Sequence, residues 1–188
     1  MGSNQRLRKL IFAALFAAII FVGISVLRIP LPAVVGRPFI HFGNILTVIA
    51  VLLLGFGYGG AAGAIGLGMF DILNGYAATS WLTVIEALIL AAMTEVTFKA
   101  VHGDQRPSLG KLYAVSLVAG LTKIVTSWCT GVIEAMMVGT TLKVAMIGSF
   151  ASLLSATINS VACFILVPLI YMLLVKIGFS RQRFNQLG

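Results

Sequence analysis

The chain has 188 residues, of which 60% are hydrophobic and only 10% charged, with a formal net charge of +8. Ordinary soluble domains carry roughly 45–50% apolar and about 25% charged residues, so this composition excludes a disordered chain, a disulfide scaffold and a cytosolic enzyme, and points to a lipid bilayer as the solvent. At about 20 residues per span the length holds at most six helices, with nothing left for a separate soluble domain.

The basic start MGSNQRLRK runs straight into an apolar stretch without a small-x-small cleavage site, and is read as a retained first helix over about 9–27. Arg28 ends it. RIPLPAVVGRPF follows, with Pro30, Pro32, Pro38, Gly36 and two arginines, and is expected to form an irregular segment of lid or binding-loop type. From Phe39 to Phe70 there is no charged residue, but the glycines of GFGYGG divide the run into helices over about 43–55 and 59–74. Helix four is expected over 81–98, and KAVHGDQRPSLGK is the one clearly hydrophilic loop. Helix five is placed at 112–137 and helix six at 144–176, the last either long and tilted or bent at Pro168. Residues 1–188 thus read as a single all-α integral membrane domain of six transmembrane helices.

The thirteen basic residues test that topology. Arg6, Arg8, Lys9, Lys99, Arg106, Lys111, Lys176, Arg181 and Arg183 fall on one side; Arg28, Arg37 and Lys143 fall on the other, and Lys123 lies within helix five. The excess of positive charge marks the cytoplasmic side, which puts both termini in the cytoplasm of a plasma-membrane protein and requires an even number of spans. The +8 charge therefore reports orientation and carries no nucleic-acid signal. Cys129 and Cys163 lie in apolar segments without metal or redox spacing, and are expected as small buried hydrophobes in reduced form.

Two glycine patterns are formally suggestive and fail on context. Gly55 to Gly60 matches GxGxxG but follows no strand, and Gly103 to Lys111 lacks the spacing and hydroxyl of a phosphate loop. No GxSxG or HExxH occurs, no cofactor is implied, and no metal site is expected. Small residues four apart recur instead, including Ala13 with Ala17, Ala14 with Ala18, and Gly59 with Gly63. Such rows let helices approach closely in lipid. On helix three they are expected to serve internal packing; on helix one the double row suits either internal packing or a partner protein.

Intramembrane polarity carries the functional signal, because charge in hydrocarbon is costly and usually faces a cavity. Lys123, Thr126, Ser127, Thr130 and Glu134 share one face of helix five; Thr79, Thr83 and Glu86 form a stripe on helix four; Ser149, Ser152, Asn159 and Cys163 form a weaker one on helix six. Together they suggest one polar cavity open to the outside, with Trp81 and Trp128 available to stack on a flat ring. Otherwise Glu86 and Glu134 would be solvated helix ends and Lys123 would snorkel. His41 and Asn44, with Asp71 and Arg37, are placed around the outer loop, Asn44 as a helix cap.

Residues 40–75, IHFGNILTVIAVLLLGFGYGGAAGAIGLGMFDILNG, resemble the hallmark stretch of the S-components of energy-coupling factor (ECF) vitamin transporters, at His41, Gly43, Asn44, Gly55, Gly59, Gly60, Gly63 and Asp71. The resemblance implies a non-catalytic subunit that captures a water-soluble vitamin from outside, in a pocket of helices four to six and loops one, three and five. It also implies partners: an EcfT-like transmembrane coupling subunit, which the alanines Ala13, Ala14, Ala17 and Ala18 would contact, and two ATPases that bind the ATP. The expected substrate-binding residues are Lys123, Ser127, Glu134, Asn159, Glu86, Trp81, Trp128, His41 and Asn44. They suit a small polar heteroaromatic ligand, pyridoxine or hydroxymethylpyrimidine first and riboflavin next. The competing classes are a self-contained ion-coupled transporter, with Glu86, Glu95 and Glu134 as coupling acids, and a small membrane enzyme.

Overall fold

A computed structural model describes residues 3–30, 39–103, 105, 107–150 and 153–186. α1 (Ser3–Val26) leads into a two-stranded antiparallel ribbon, β1 (Arg28–Pro30) and β2 (Phe39–His41), with Arg28 opposite His41 and Pro30 opposite Phe39. Then follow α2 (Gly43–Gly55), α3 (Ala61–Leu73), α4 (Ser80–Ala100) and α5 (Leu109–Met137), and after them α6 (Leu142–Ser149), α7 (Leu153–Lys176) and α8 (Arg181–Gln186). Most of the expected proline-rich loop, residues 31–38 with Arg37, lies outside the described residues, as do Arg106 and Ser152.

α2 is apolar on all sides, and every one of its residues except Leu46 is buried. It takes the central place that a helix without a polar face requires, packed by α1, α3, α4 and α7. The uncharged run Gly43–Leu73 is 31 residues long, yet the chain reverses inside it. Gly55 adopts φ +85°, a conformation that side chains resist, and Phe56–Gly60 forms a wide π turn. The chain then returns along α2 at a separation that only glycine permits: a methyl on Gly59, in the π turn that leads into α3, would stand 2.5 Å from the Val51 backbone. On its other side α3 meets α1, where a methyl on Gly66 would stand 2.7 Å from the Ala17 carbonyl oxygen. The glycines expected to serve packing on helix three therefore do so on two faces.

One expectation is corrected at the end of the chain. The run 144–176, read as a single span, is described as two helices, α6 (Leu142–Ser149) and α7 (Leu153–Lys176), and Pro168 lies inside α7. The short α6 packs back on α5 through Val132, Ala135 and Ala145. α1 begins earlier than expected, at Ser3. Gln5 donates to the Asn185 carbonyl at 2.6 Å and Lys9 to the Asn185 side chain at 2.7 Å, while Phe184 is buried edge-on against Phe12. The first and last helices thus meet at one end of the bundle, opposite the ribbon.

Candidate functional site

Near the ribbon end, the polar stripes of α4 and α5 face each other. Residues three and four apart on a helix share a face, so Lys123, Thr126 and Ser127 present an ammonium and two hydroxyls together. Glu86 of α4 receives all three. Lys123 Nζ lies 2.6 Å from Glu86 Oε2, and the Thr126 and Ser127 hydroxyls both donate to Oε1 at 2.8 Å. The pair is largely removed from solvent, with side-chain exposures of 15% for Lys123 and 10% for Glu86. Pairing of this kind, with further hydrogen bonds to the carboxylate, is what makes two intramembrane charges tolerable.

Two further acids adjoin the pair. Glu134 interacts with the Thr79 hydroxyl, and Asp71, at the end of α3, with that of Thr83; each carboxyl also lies within electrostatic range of Glu86 and Lys123. Three carboxyl groups thus lie within electrostatic range of one ammonium, Glu86 in direct contact with it. Asp71 was expected only beside the outer loop; its position as a lone acid closing an apolar run was the available signal for a place in the cluster.

His41 of β2 completes the constellation. Its Nδ1 accepts the Gly43 N–H at 3.0 Å, so the ring proton resides on Nε2, and its own N–H donates to Asn159 Oδ1 at 3.0 Å. Burial pushes the His41 imidazole down to about 3, with the positive charge of Lys123 as the second cause, so the ring is neutral at physiological pH. His41, not Asn44, satisfies the start of α2. Asn44 is buried with its Nδ2 unpartnered, and the expected cap is corrected accordingly.

The remaining expected residues are spread over several elements. Trp128 donates to the Met146 carbonyl at 3.3 Å and packs near Phe150, because α6 folds onto α5; Trp81 is 47% exposed. The helix-six stripe is divided, with Ser149 on α6 and Asn159 and Cys163 on α7. Ala13 and Ala17 are buried in the core, whereas Ala14 and Ala18 are exposed. Glu95 pairs with Arg181 at 2.6 Å and Lys99 at 2.9 Å, about 14 Å along α4 from Glu86 by helical rise. Cys129 and Cys163 are unpaired; Cys163 is buried as expected, but Cys129 is exposed on α5, which corrects the expectation for it. Among the described residues no group of His, Cys, Asp and Glu is arranged to hold a metal ion.

A family model described as "ECF-type riboflavin transporter, S component" matches residues 4–176. The chain belongs to this family. Two solved structures share the fold of this S-component. One is ThiT from Listeria monocytogenes, 18% identical, with a TM-score of 0.67 over 96% of this chain and 99% of that one. The other is an S-component for biotin from an ECF-type ABC transporter, 19% identical, with a TM-score of 0.65 over 98% of this chain and 99% of that one. No curated protein sequence matches the S-component significantly.

Proposed function

We propose that this S-component captures a small water-soluble heteroaromatic vitamin at the ribbon end of the bundle and delivers it inward with an ATP-driven module of one transmembrane coupling subunit and two ATPases. The observation that carries the reading is the Lys123–Glu86 pair with its threonine, serine, aspartate and second glutamate partners, a buried polar constellation in an otherwise apolar bundle. Family membership supports the division of labour.

In this reading the ribbon end faces outward and both termini face the cytoplasm, with six crossings because Gly43–Leu73 counts as two. The meeting of α1 and α8 at one end supports it, as does the distribution of basic residues. Lys123, Ser127, Glu86 and Glu134 are assigned to the ligand, with His41 and Asn44 at its edge. The surplus of carboxyl groups over ammonium favours a ligand with a basic ring nitrogen, as in pyridoxine or hydroxymethylpyrimidine. Riboflavin is the second reading, favoured by the family's description. For the coupling subunit, the outward alanines Ala14 and Ala18 are the assigned surface. Ala18 borders an apolar groove of about 390 Å³ lined also by Val22, Gly23, Phe42 and Leu46.

The test is binding of pyridoxine, hydroxymethylpyrimidine, riboflavin, thiamine and biotin to the purified S-component without partners. One heteroaromatic vitamin should bind tightly, and Lys123→Ala should weaken it about 100-fold, as truncation of one partner in a buried charged pair does. Turnover of a vitamin, or its uptake into liposomes by the S-component alone, would overturn the reading in favour of an enzyme or an ion-coupled carrier.

A further inference from the structure

The β1–β2 ribbon has one paired edge and one edge turned toward α7. Pro30 has no N–H, so its pair with Phe39 is not the hydrogen-bonded kind, and the exchange of bonds between the strands falls on Ile29 and Ile40. Along a strand the backbone groups of successive residues point to alternate edges. The N–H and C=O groups of Phe39 and His41 therefore point away from β1, where a third strand would ordinarily meet them.

Among the described residues no third strand is present. Asn159 of α7 stands there instead, only 5% exposed. Its Oδ1 accepts the His41 N–H at 3.0 Å and its Nδ2 donates to the Phe39 carbonyl at 3.0 Å. One carboxamide thus supplies both the acceptor and the donor that a strand would offer to this edge. The hydrogen-bonded path continues, since His41 Nδ1 accepts from Gly43 at the start of the central helix. α7, β2 and α2 are joined through two side chains.

We propose that Asn159 is a positioning residue which takes the place of a third strand, holding β2 so that His41 stands beside the Lys123–Glu86 pair. Its carboxamide is committed to backbone, and its effect on a ligand runs through His41. The residue type follows from the chemistry. Leu has neither donor nor acceptor at that reach, and Asp keeps the acceptor for His41 but sets a carboxylate against the Phe39 carbonyl. The effect on ligand rests on the capture function proposed above; the clamp itself does not.

The two are separated by measuring residue-resolved amide exchange and vitamin dissociation on the same purified proteins. Without ligand, Asn159→Leu should raise exchange of the His41 amide on the order of 10- to 100-fold while α2 to α5 keep their protection, and Asn159→Asp should leave the His41 amide protected. An unchanged His41 amide in Asn159→Leu overturns the clamp. Should that variant lose protection throughout, Asn159→Asp decides alone: protection at His41 supports the clamp and its loss there overturns it. With riboflavin and pyridoxine as probes, Asn159→Leu should speed dissociation about tenfold, a size that one modest hydrogen bond accounts for. An exposed His41 amide with unchanged dissociation overturns the positioning role. If the wild-type chain binds neither probe, dissociation is measured with whichever of hydroxymethylpyrimidine, thiamine and biotin it binds; if it binds none of the five, the capture reading fails and the exchange result alone rules on the clamp.

Discussion

His41 sits where α7, β2 and α2 meet, and its chemistry follows from that place. A histidine of ordinary acidity takes up its proton near pH 6.5; here burial and the Lys123 charge hold the folded value at about 3. The unfolded chain binds the proton first as pH falls, so the stability contributed by neutral His41 is fully present above pH 6.5 and is lost as pH drops from there toward 3. Between pH 6.5 and pH 5 the loss is about 2 kcal/mol. Thermal unfolding in detergent at pH 7 and pH 5 checks this: the wild-type midpoint should fall by more than that of His41→Gln, and equal falls would refute it. Much at this scale was legible in the sequence. The i, i+3, i+4 spacing of Lys123, Thr126 and Ser127 announces a shared face, and Glu86 is the acid at matching depth on the next helix. Spacing within a helix says nothing of rotation between helices, however, and so it did not announce that the Trp128 indole turns to the Met146 carbonyl of α6.

At the scale of elements, the alanine rows of α1 separate by the direction each faces. Ala13 and Ala17 are buried, with Ala17 lying against Gly66 of α3, and Ala14 and Ala18 are exposed. Ala17→Leu should therefore cost about 1–3 kcal/mol through overpacking and lower the thermal midpoint of the isolated chain. The double variant Ala14→Leu, Ala18→Leu should leave that midpoint and vitamin binding unchanged while abolishing ATP-driven uptake in cells. If uptake survives, the outward row does not dock the coupling subunit. Both rows have the same spacing, so the sequence alone left internal packing and partner docking open. The α2–α3 reversal was legible because six residues from Gly55 to Gly60 include four glycines. The separation of α6 from α7 was not, since no charge or glycine-proline pair punctuates residues 149–154.

For the whole molecule, both ends of the chain gather at one end of the bundle and the polar cluster lies toward the other. Fusing a reporter that is active only in the cytoplasm to either terminus should give signal in both cases, whereas a reporter inserted after Asn74 should be silent. Signal at only one terminus would require an odd number of crossings and refute six. The ion pair of Glu95 with Arg181 ties α8 to α4 at the terminal end. A carboxylate considered for ion coupling thereby has a structural partner and lies away from the other acids.

Composition and charge placement, by themselves, determined the solvent, the helical class, the sidedness expected of the basic loops, and the short set of intramembrane polar residues that a function must explain. These are properties of single segments, because burial of apolar surface in lipid and the cost of charge there act on each helix separately. Only the tertiary structure decided which groups are partners: Glu86 with Lys123, Thr126 and Ser127, Asn159 with the backbone of β2, and, in close packing, Ala17 with Gly66. Hydrogen bonds and close packing depend on ångström distances between residues some 40 to 120 positions apart, and in a bilayer, where apolar faces gain little from one another, those distances are set by where small residues let helices meet.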